Sequence, residues 1–383
     1  MIANGGRSIP SVLEPGRYFM QGDEACAEGA IAAGCDFYAG YPITPASEIM
    51  QRIARRFRKM ESRVFVQMED ELASIASVIG ASWAGAKAMT ATSGPGFTLM
   101  LENLGYAIMT ETPLVVVDIQ RAGPSTGQAT RPAQGDIMQA RWGASGDYEI
   151  IVLSPWSVSE MYQEAIRAFN LAERFRVPVI LLGDEGVGHL REKLDIPAQT
   201  RIYDRFKSEG EPPFGERLVP SMPAFGEGEK LLITGSTHDP RGYRRTADGL
   251  VQADLVGRLA TKVLANREEI VRTETLLCDE DALDILLIAY GFTARSAYRA
   301  AQDLRQAGVH AGLLRLRTLW PFAEEDVREM AGRARRVLVP EMNRGQILHE
   351  AQRIVPEAEG YNKTNGEVIG PSEIVEAAKE MLR

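Results

Sequence analysis

"PLVVVDIQRAGPSTG", residues 113–127, decides the fold. Residues 114–117 are continuously apolar and branched, whereas a strand with one face in water would alternate with polar residues. Such a run suits a central strand buried on both faces, the condition met in a parallel sheet covered by helices. It ends in Arg121 and a loop of Gly, Pro, Ser and Thr with no adjacent acid.

Working outward, residues 36–184 alternate short apolar runs with longer helical patterns, the signature of an α/β parallel sheet. Strands are expected at 36–39, 64–67, 86–91, 114–119, 149–153 and 177–182. Helices are expected at 46–59, 71–85, 97–110, 134–141 and 157–174, the last opened by a capping box of Ser157 and Glu160. From 191 to 279 the sequence turns polar and Pro/Gly-punctuated, as in "KSEGEPPFGERLVPSMPAFGEGEK", and reads as a linker or excursion ahead of a charged helical stretch near 250–272. Regular alternation resumes at 282 with "DILLIAYG", "VHAGLLRLR" and "RRVLVPE" as strands, and helices at 293–307, 324–334 and over "GQILHEAQRIV". The expected organisation is a domain over 17–190, an excursion over 191–279 and a smaller α/β domain over 280–383.

A chain of 383 residues with 45% hydrophobic and 25% charged residues can bury two or three cores, and a formal charge of -9 argues against nucleic acid as a partner. No apolar run is long enough for a membrane span, and the N-terminus lacks the basic-then-apolar layout of a signal peptide, so a cytoplasmic protein is expected. Cys26, Cys35 and Cys278 form no CxxC pair, and with four histidines there is no zinc or iron-sulfur pattern. The cysteines read as small core hydrophobes, no metal ligand is expected, and a metal cluster would have to sit on another chain.

In an open parallel sheet, ligands bind where loops leave the carboxyl ends of the strands. The unusual stretches fall there: Tyr41-Pro42-Ile43-Thr44-Pro45, Glu69-Asp70-Glu71, Thr92-Ser93-Gly94-Pro95-Gly96-Phe97 and Arg121 to Gly127. Pro45 biases Thr44 toward extended backbone. Thr44 can be a helix N-cap with Pro45 in the first turn, a hydroxyl presented to a ligand, or both. Glu69 and Asp70 complement a helix dipole. Glu71, next to the apolar stretch, suits a partly buried carboxyl of raised pKa that shares a proton with a ligand nitrogen. "TSGPGF" lacks both the phosphate-loop ending and GxGxxG spacing, leaving a tight turn or flat approach to a planar ring. Arg121 suits bidentate capture of a carboxylate, with a surface ion pair as the alternative.

These residues, with "YAGYPITPASEI", "QMEDELASIASVIGAS", "YGFTARSAYRAAQDLR", "LRTLWPF" and "PEMNRGQILHEAQR", resemble the alpha subunit of thiamine diphosphate-dependent 2-oxoacid:ferredoxin oxidoreductases from about residue 17 to 383. The resemblance implies a pyrimidine-binding domain followed by a transketolase C-terminal-like domain. It implies that Glu71 contacts N1′ of the thiamine aminopyrimidine, with Glu69 as a rival, and the nine-residue interval from Glu71 to Gly80 matches other thiamine enzymes. Ser93, Gly94, Pro95 and Gly96 would lie beside the pyrimidine. Thr44 and Arg121 would hold the 2-oxoacid carboxylate, with Thr130 in the same pocket and Arg131 as the nearest cation for a second carboxylate. His349 is expected on a helix surface or interface.

Coenzyme A would accept the acyl group and ferredoxin the electrons. A beta subunit would supply the diphosphate site, Mg²⁺ and a [4Fe-4S] cluster, in an (alpha-beta)2 assembly. "GQATRPAQGDIMQARWG" and "NLAERFRVPVILLGDE" look most like the 2-oxoglutarate branch, with branched-chain 2-oxoacid or pyruvate enzymes and a noncatalytic scaffold as alternatives. A thiamine enzyme without redox partners would need its own Gly-Asp-Gly diphosphate motif, which is absent from the sequence.

Overall fold

A computed structural model describes residues 5–383; residues 1–4, part of the stretch read for a signal layout, lie outside the described residues. The strand Leu114–Ala122 is buried along its whole length at the centre of an eight-stranded sheet. Across that sheet the order is Thr318–Trp320, Ile151–Leu153, Pro178–Asp184, Leu114–Ala122, Ala88–Thr92, Phe37–Gly40, Val64–Gln67. Apart from Gln128–Pro132, the strands between 37 and 184 pair in parallel. Gln128–Pro132 folds back on the end of Leu114–Ala122 as a short antiparallel hairpin. The order of connection switches between Phe37–Gly40 and Ala88–Thr92, the position beside which ligands bind in open α/β sheets.

The helices cover both faces because their apolar stripes require it. Ser47–Phe57 buries Ile49, Met50, Ile53 and Phe57, a spacing that sets one side of a helix against the sheet. Gly94–Met109 begins three residues earlier than the sequence suggests, because Pro95 sits comfortably in a first turn where its missing N–H costs nothing. Ser157 does cap Val158–Phe175, accepting from Glu160 N at 3.2 Å. Its partner Glu160 bonds Trp156 N and Arg315, so the reciprocal half of the expected box is absent.

Glu185–His189, Pro371–Met381 and Gly22–Ala32 have no counterpart in the sequence reading, and of these Gly22–Ala32 is the most deeply buried. Its residues are mostly Ala, Gly and Cys, buried on nearly every side against Val158–Phe175, so no polar face announces it. Cys26 and Cys35 lie in this core, and Cys278 is half-buried in the second unit.

The segment read as an excursion starts and finishes in sheets. Arg191–Ile196 pairs antiparallel with Gly16–Gln21, Gln199–Ile202 with Arg7–Pro10, and Thr273–Leu276 with Ala311–Leu316. Between them, residues 203–248 run irregularly but are held by buried charge. Arg205 pairs with Glu173, and the Arg176 guanidinium donates to the carbonyls of Glu111, Pro213 and Ser221. Glu111 in turn takes Arg258 and Lys262 from the helix Gly249–Leu264. The second unit is a five-stranded sheet ordered Thr273–Leu276, Ala311–Leu316, Leu283–Ala289, Ala334–Glu341, Glu359–Asn362, parallel except for its first strand. Its strand Thr318–Trp320 crosses over and completes the edge of the first sheet.

Candidate active site

The four loops singled out in the sequence leave the same edge of the large sheet, since the strands preceding them are parallel neighbours. After Phe37–Gly40 the chain turns over Ile43–Ala46, with Ala46 N bonded to Ile43 O at 2.9 Å and a cis Thr44–Pro45 peptide. The following helix starts only at Ser47, with Ala46 as its N-cap residue. Thr44 is therefore not a helix cap, because the turn takes up the residues a cap would have used. Instead its carbonyl accepts from Arg121 Nη1 at 2.7 Å, which ties the first loop to the fourth.

Asp70 caps the helix Glu71–Trp83, accepting from Ala73 N at 2.7 Å, and Glu69 is exposed. Glu71 occupies the first helical position and is 5% exposed. Burial raises its pKa, and it has no cationic partner among the described residues. The helix Gly94–Met109 passes so close that a Cβ at Gly96 would collide with Glu71 Oε1 and Thr92 Oγ1. Glycine at 96 is what lets the carboxyl and this turn share one space. Beside it the hydroxyls of Thr92 and Ser93 are buried without a hydrogen-bond partner among the described residues. A protonatable carboxyl, a flat glycine turn and spare hydroxyls fit a planar aminopyrimidine, which offers ring nitrogens and an amine.

Arg121 ends its strand 7% exposed. With Nη1 on Thr44, its Nε remains buried and unbonded. The guanidinium borders a cleft of about 830 Å³ between the two units, with Gly94, Pro95 and Asp136 on the near wall and Asn343 and Arg344 on the far one. Arg344 is exposed and has neither hydrogen bond nor ion pair among the described residues.

The far wall is seated by Gln134, fully buried, whose side chain donates to Asp184 Oδ2 and Tyr290 O and accepts from Thr293 Oγ1 and Met342 N. Asn343 Nδ2 reaches the Gln134 carbonyl at 2.6 Å, the Tyr290 hydroxyl and Glu341 Oε2. A buried polar network so fully satisfied fixes one arrangement of the two units.

Two acids missed in the sequence stand beside Arg121. Burial, then the neighbouring Asp136 carboxyl, pushes Asp118 well above the usual carboxylate range. Burial pushes Asp136 up to about 6, a rise opposed by Asp118 and Arg121. A single charged residue inside "LVVVDIQ" was the available signal for the first; Asp136 left none. Thr130 and Arg131 lie exposed in the hairpin Gln128–Pro132, with Arg131 against the turn at Gly366. Neither is among the residues that border the cleft. His349 is exposed on the helix Gln346–Gln352.

Comparison with known families matches residues 28–252 to "Pyruvate flavodoxin/ferredoxin oxidoreductase, thiamine diP-bdg" and residues 283–374 to "Pyruvate:ferredoxin oxidoreductase core domain II". The 2-oxoglutarate synthase subunit KorA of Methanothermobacter marburgensis is 51% identical, covering 94% of this chain and 97% of that protein. The ketoisovalerate oxidoreductase subunit VorB of Methanothermobacter thermautotrophicus is 36% identical over 94% of this chain and 97% of its own length. A solved 2-oxoglutarate:ferredoxin oxidoreductase from Magnetococcus marinus, with 2-oxoglutarate, coenzyme A and succinyl-CoA bound, superposes with a TM-score of 0.90 at 33% identity. That match covers 96% of this chain and 65% of the solved one.

Proposed function

Because the chain belongs to the thiamine diphosphate-binding pyruvate flavodoxin/ferredoxin oxidoreductase family, we propose that it is the alpha subunit of an enzyme converting 2-oxoglutarate, coenzyme A and oxidised ferredoxin to succinyl-CoA, carbon dioxide and reduced ferredoxin. The observation that carries this reading is one sheet edge that holds both a buried, unpaired carboxyl against Gly96 and a guanidinium with a free buried edge. Identity supports the 2-oxoglutarate branch, at 51% against 36% for the ketoisovalerate relative.

Thiamine diphosphate, when bound, supplies the nucleophilic carbon that adds to the 2-oxo group and takes up the electrons as carbon dioxide leaves. Glu71 holds a proton at N1′ of the pyrimidine, a task for which its raised pKa suits it. Thr92 and Ser93 have hydroxyls free to bond the same ring, and Gly94, Pro95 and Gly96 leave its face unobstructed. Arg121, steadied by the Thr44 carbonyl, grips the substrate carboxylate through Nε and a second N–H, which sets the 2-oxo carbon in one orientation.

For the distal carboxylate, Arg344 replaces Arg131 as the proposed cation, since it borders the cleft and lacks a partner. Thr130, exposed in the hairpin and off the cleft, is not assigned to the carboxylate pocket. A beta subunit brings the diphosphate site with Mg²⁺ and a [4Fe-4S] cluster, in an (alpha-beta)2 assembly. Two core thiols and one in the other unit do not make a cluster ligand set, and free thiols fit a reducing, cytoplasmic setting. No helix among the described residues is long and apolar enough to cross a membrane.

The test is anaerobic copurification with the partner subunit, followed by a panel of 2-oxoacids assayed with coenzyme A and viologen. Preference for 2-oxoglutarate, with Arg344→Ala raising its KM at least tenfold but leaving that for pyruvate unchanged, is the expected result. Preference for a branched-chain acid, or an equal effect of the substitution on both substrates, refutes the assignment.

A further inference from the structure

Next to the turn that carries Thr44, three helices converge on a cluster that the proposed chemistry does not use. Asp23 comes from Gly22–Ala32, Glu48 from Ser47–Phe57 and His189 from Glu185–His189. Their ligating atoms all lie within 4.8 Å of one another. His189 Nε2 stands 3.9 Å from Asp23 Oδ2, 3.7 Å from Glu48 Oε2 and 3.3 Å from the carbonyl oxygen of Pro45.

Asp23 is the informative member. Its side chain is 0% exposed, and neither oxygen has a hydrogen-bond partner among the described residues. A carboxylate in that position is costly unless something of opposite charge completes it. Glycine at 188 makes room for the carboxyl itself, since a Cβ there would stand 2.8 Å from Asp23 Oδ1.

The imidazole is oriented from its other side by Glu185, whose Oε1 lies 3.2 Å from Nδ1. The hydrogen bond to Glu185, with the charges of Asp23 and Glu48, pushes the imidazole up to about 9, so a cation binding here displaces the Nε2 proton while Glu185 keeps the one on Nδ1, as in carboxylate–histidine–metal arrangements. Bonds of 2.0–2.2 Å to a tetrahedral ion place ligand atoms about 3.3–3.6 Å apart, so the His189 spacings to Asp23 and Glu48 need to close by only a few tenths of an ångström, while the set as a whole, within 4.8 Å, closes by about 1.5 Å at most.

We propose that Asp23, Glu48 and His189, with the Pro45 carbonyl, form a site for one divalent first-row transition cation. One nitrogen and three oxygens suit zinc or manganese better than the all-oxygen cages of calcium or magnesium. Glu48 is 38% exposed and opens the cluster to solvent beside a surface depression of about 300 Å³ that Arg52, Arg55 and Arg191 also line. Bound there, the cation cross-links three helices and holds the turn whose Thr44 carbonyl steadies Arg121. The proposal does not depend on which 2-oxoacid is the substrate.

The full chain, purified with its partner subunit and dialysed against a chelator, is titrated with Zn²⁺ and, as comparison, Mg²⁺. Asp23→Asn, His189→Gln and Glu48→Gln variants run in parallel, and iron content is recorded throughout to confirm that assembly is intact. One zinc per chain in the wild type, binding at least tenfold weaker in each variant, and a zinc-dependent rise in melting temperature confined to the wild type are expected. The Glu48 side chain is 38% exposed, so Glu48→Gln keeps the test valid if a substitution in the interior prevents folding. Zinc affinity and melting temperature unchanged between wild type and Glu48→Gln would overturn the site.

Discussion

Arg121 offers the sharpest test of the carboxylate pocket, through replacement by lysine and by alanine. In the folded chain one guanidinium N–H is committed to the Thr44 carbonyl at 2.7 Å, while Nε is buried and unbonded, so one edge with two donors is left for a ligand. A hydrogen bond to a charged group is worth about 1.5–3 kcal/mol. Lysine supplies a point charge but only one of the two bonds. Arg121→Lys should therefore lose about 1.5–3 kcal/mol of transition-state binding, a fall of roughly 10- to 150-fold in kcat/KM for 2-oxoglutarate. Alanine loses both bonds and the link to Thr44, about 3–5 kcal/mol, or roughly 150- to 5,000-fold. The assay is anaerobic viologen reduction in the assembled enzyme, with 2-oxoglutarate and coenzyme A varied separately. The KM for coenzyme A should stay within twofold. If it rises in step with that for 2-oxoglutarate, or if Arg121→Lys stays within threefold of wild type, Arg121 does not hold the carboxylate.

Glu71→Gln cannot hold the proton at N1′ and should lower viologen reduction by about 10²- to 10⁴-fold while 2-oxoglutarate still protects against thermal unfolding; near-normal turnover would remove Glu71 from its role. Asp136, pushed up to about 6, is ionised above that pH and then sets a negative charge beside the carboxylate pocket. The KM for 2-oxoglutarate should accordingly rise between pH 5.5 and 7.5, and Asp136→Asn should flatten that rise; identical profiles would show that the acid does not face the substrate. Burial alone would raise the Glu111 pKa, but Lys262 and Arg258 outweigh it and hold the carboxyl well below the usual range. Glu111→Gln strands a buried lysine and should cost about 3–5 kcal/mol of stability at neutral pH. Because the group's folded pKa is depressed, the deficit should persist above about pH 4.5 and shrink as pH falls further, which denaturant melts across pH 3–7 would reveal.

The strands of the large sheet were legible because burial on two faces leaves continuous apolar runs, and the functional loops were legible because they follow those runs. The helix Gly22–Ala32 was not, since Ala, Gly and Cys packed on all sides carry no amphipathic period. Residues 203–248 were opaque for another reason. Their order comes from pairs such as Arg205 with Glu173, far apart in sequence, and such bonds leave no local pattern. At the site, the resemblance pointed to Thr44, Glu71 and Arg121, yet it did not reveal that the Thr44 carbonyl accepts from Arg121, because that depends on the turn ending at Ala46. Arg344 was likewise hidden, as its place on the cleft follows from Asn343 and Gln134 joining two units 209 residues apart in the chain.

The strand Thr318–Trp320 changes what the two family matches mean for the evolution of this architecture. The matches end and begin at 252 and 283, as though the chain were two modules joined end to end. Yet the outer strand of the first sheet is encoded inside the second match, hydrogen-bonded to Ile151–Leu153. A gene cut between the modules would leave a bare sheet edge on one product, open to pairing with any other chain. The boundary visible in sequence is thus not a boundary of folding, and recombination at that point would separate a sheet from its own last strand.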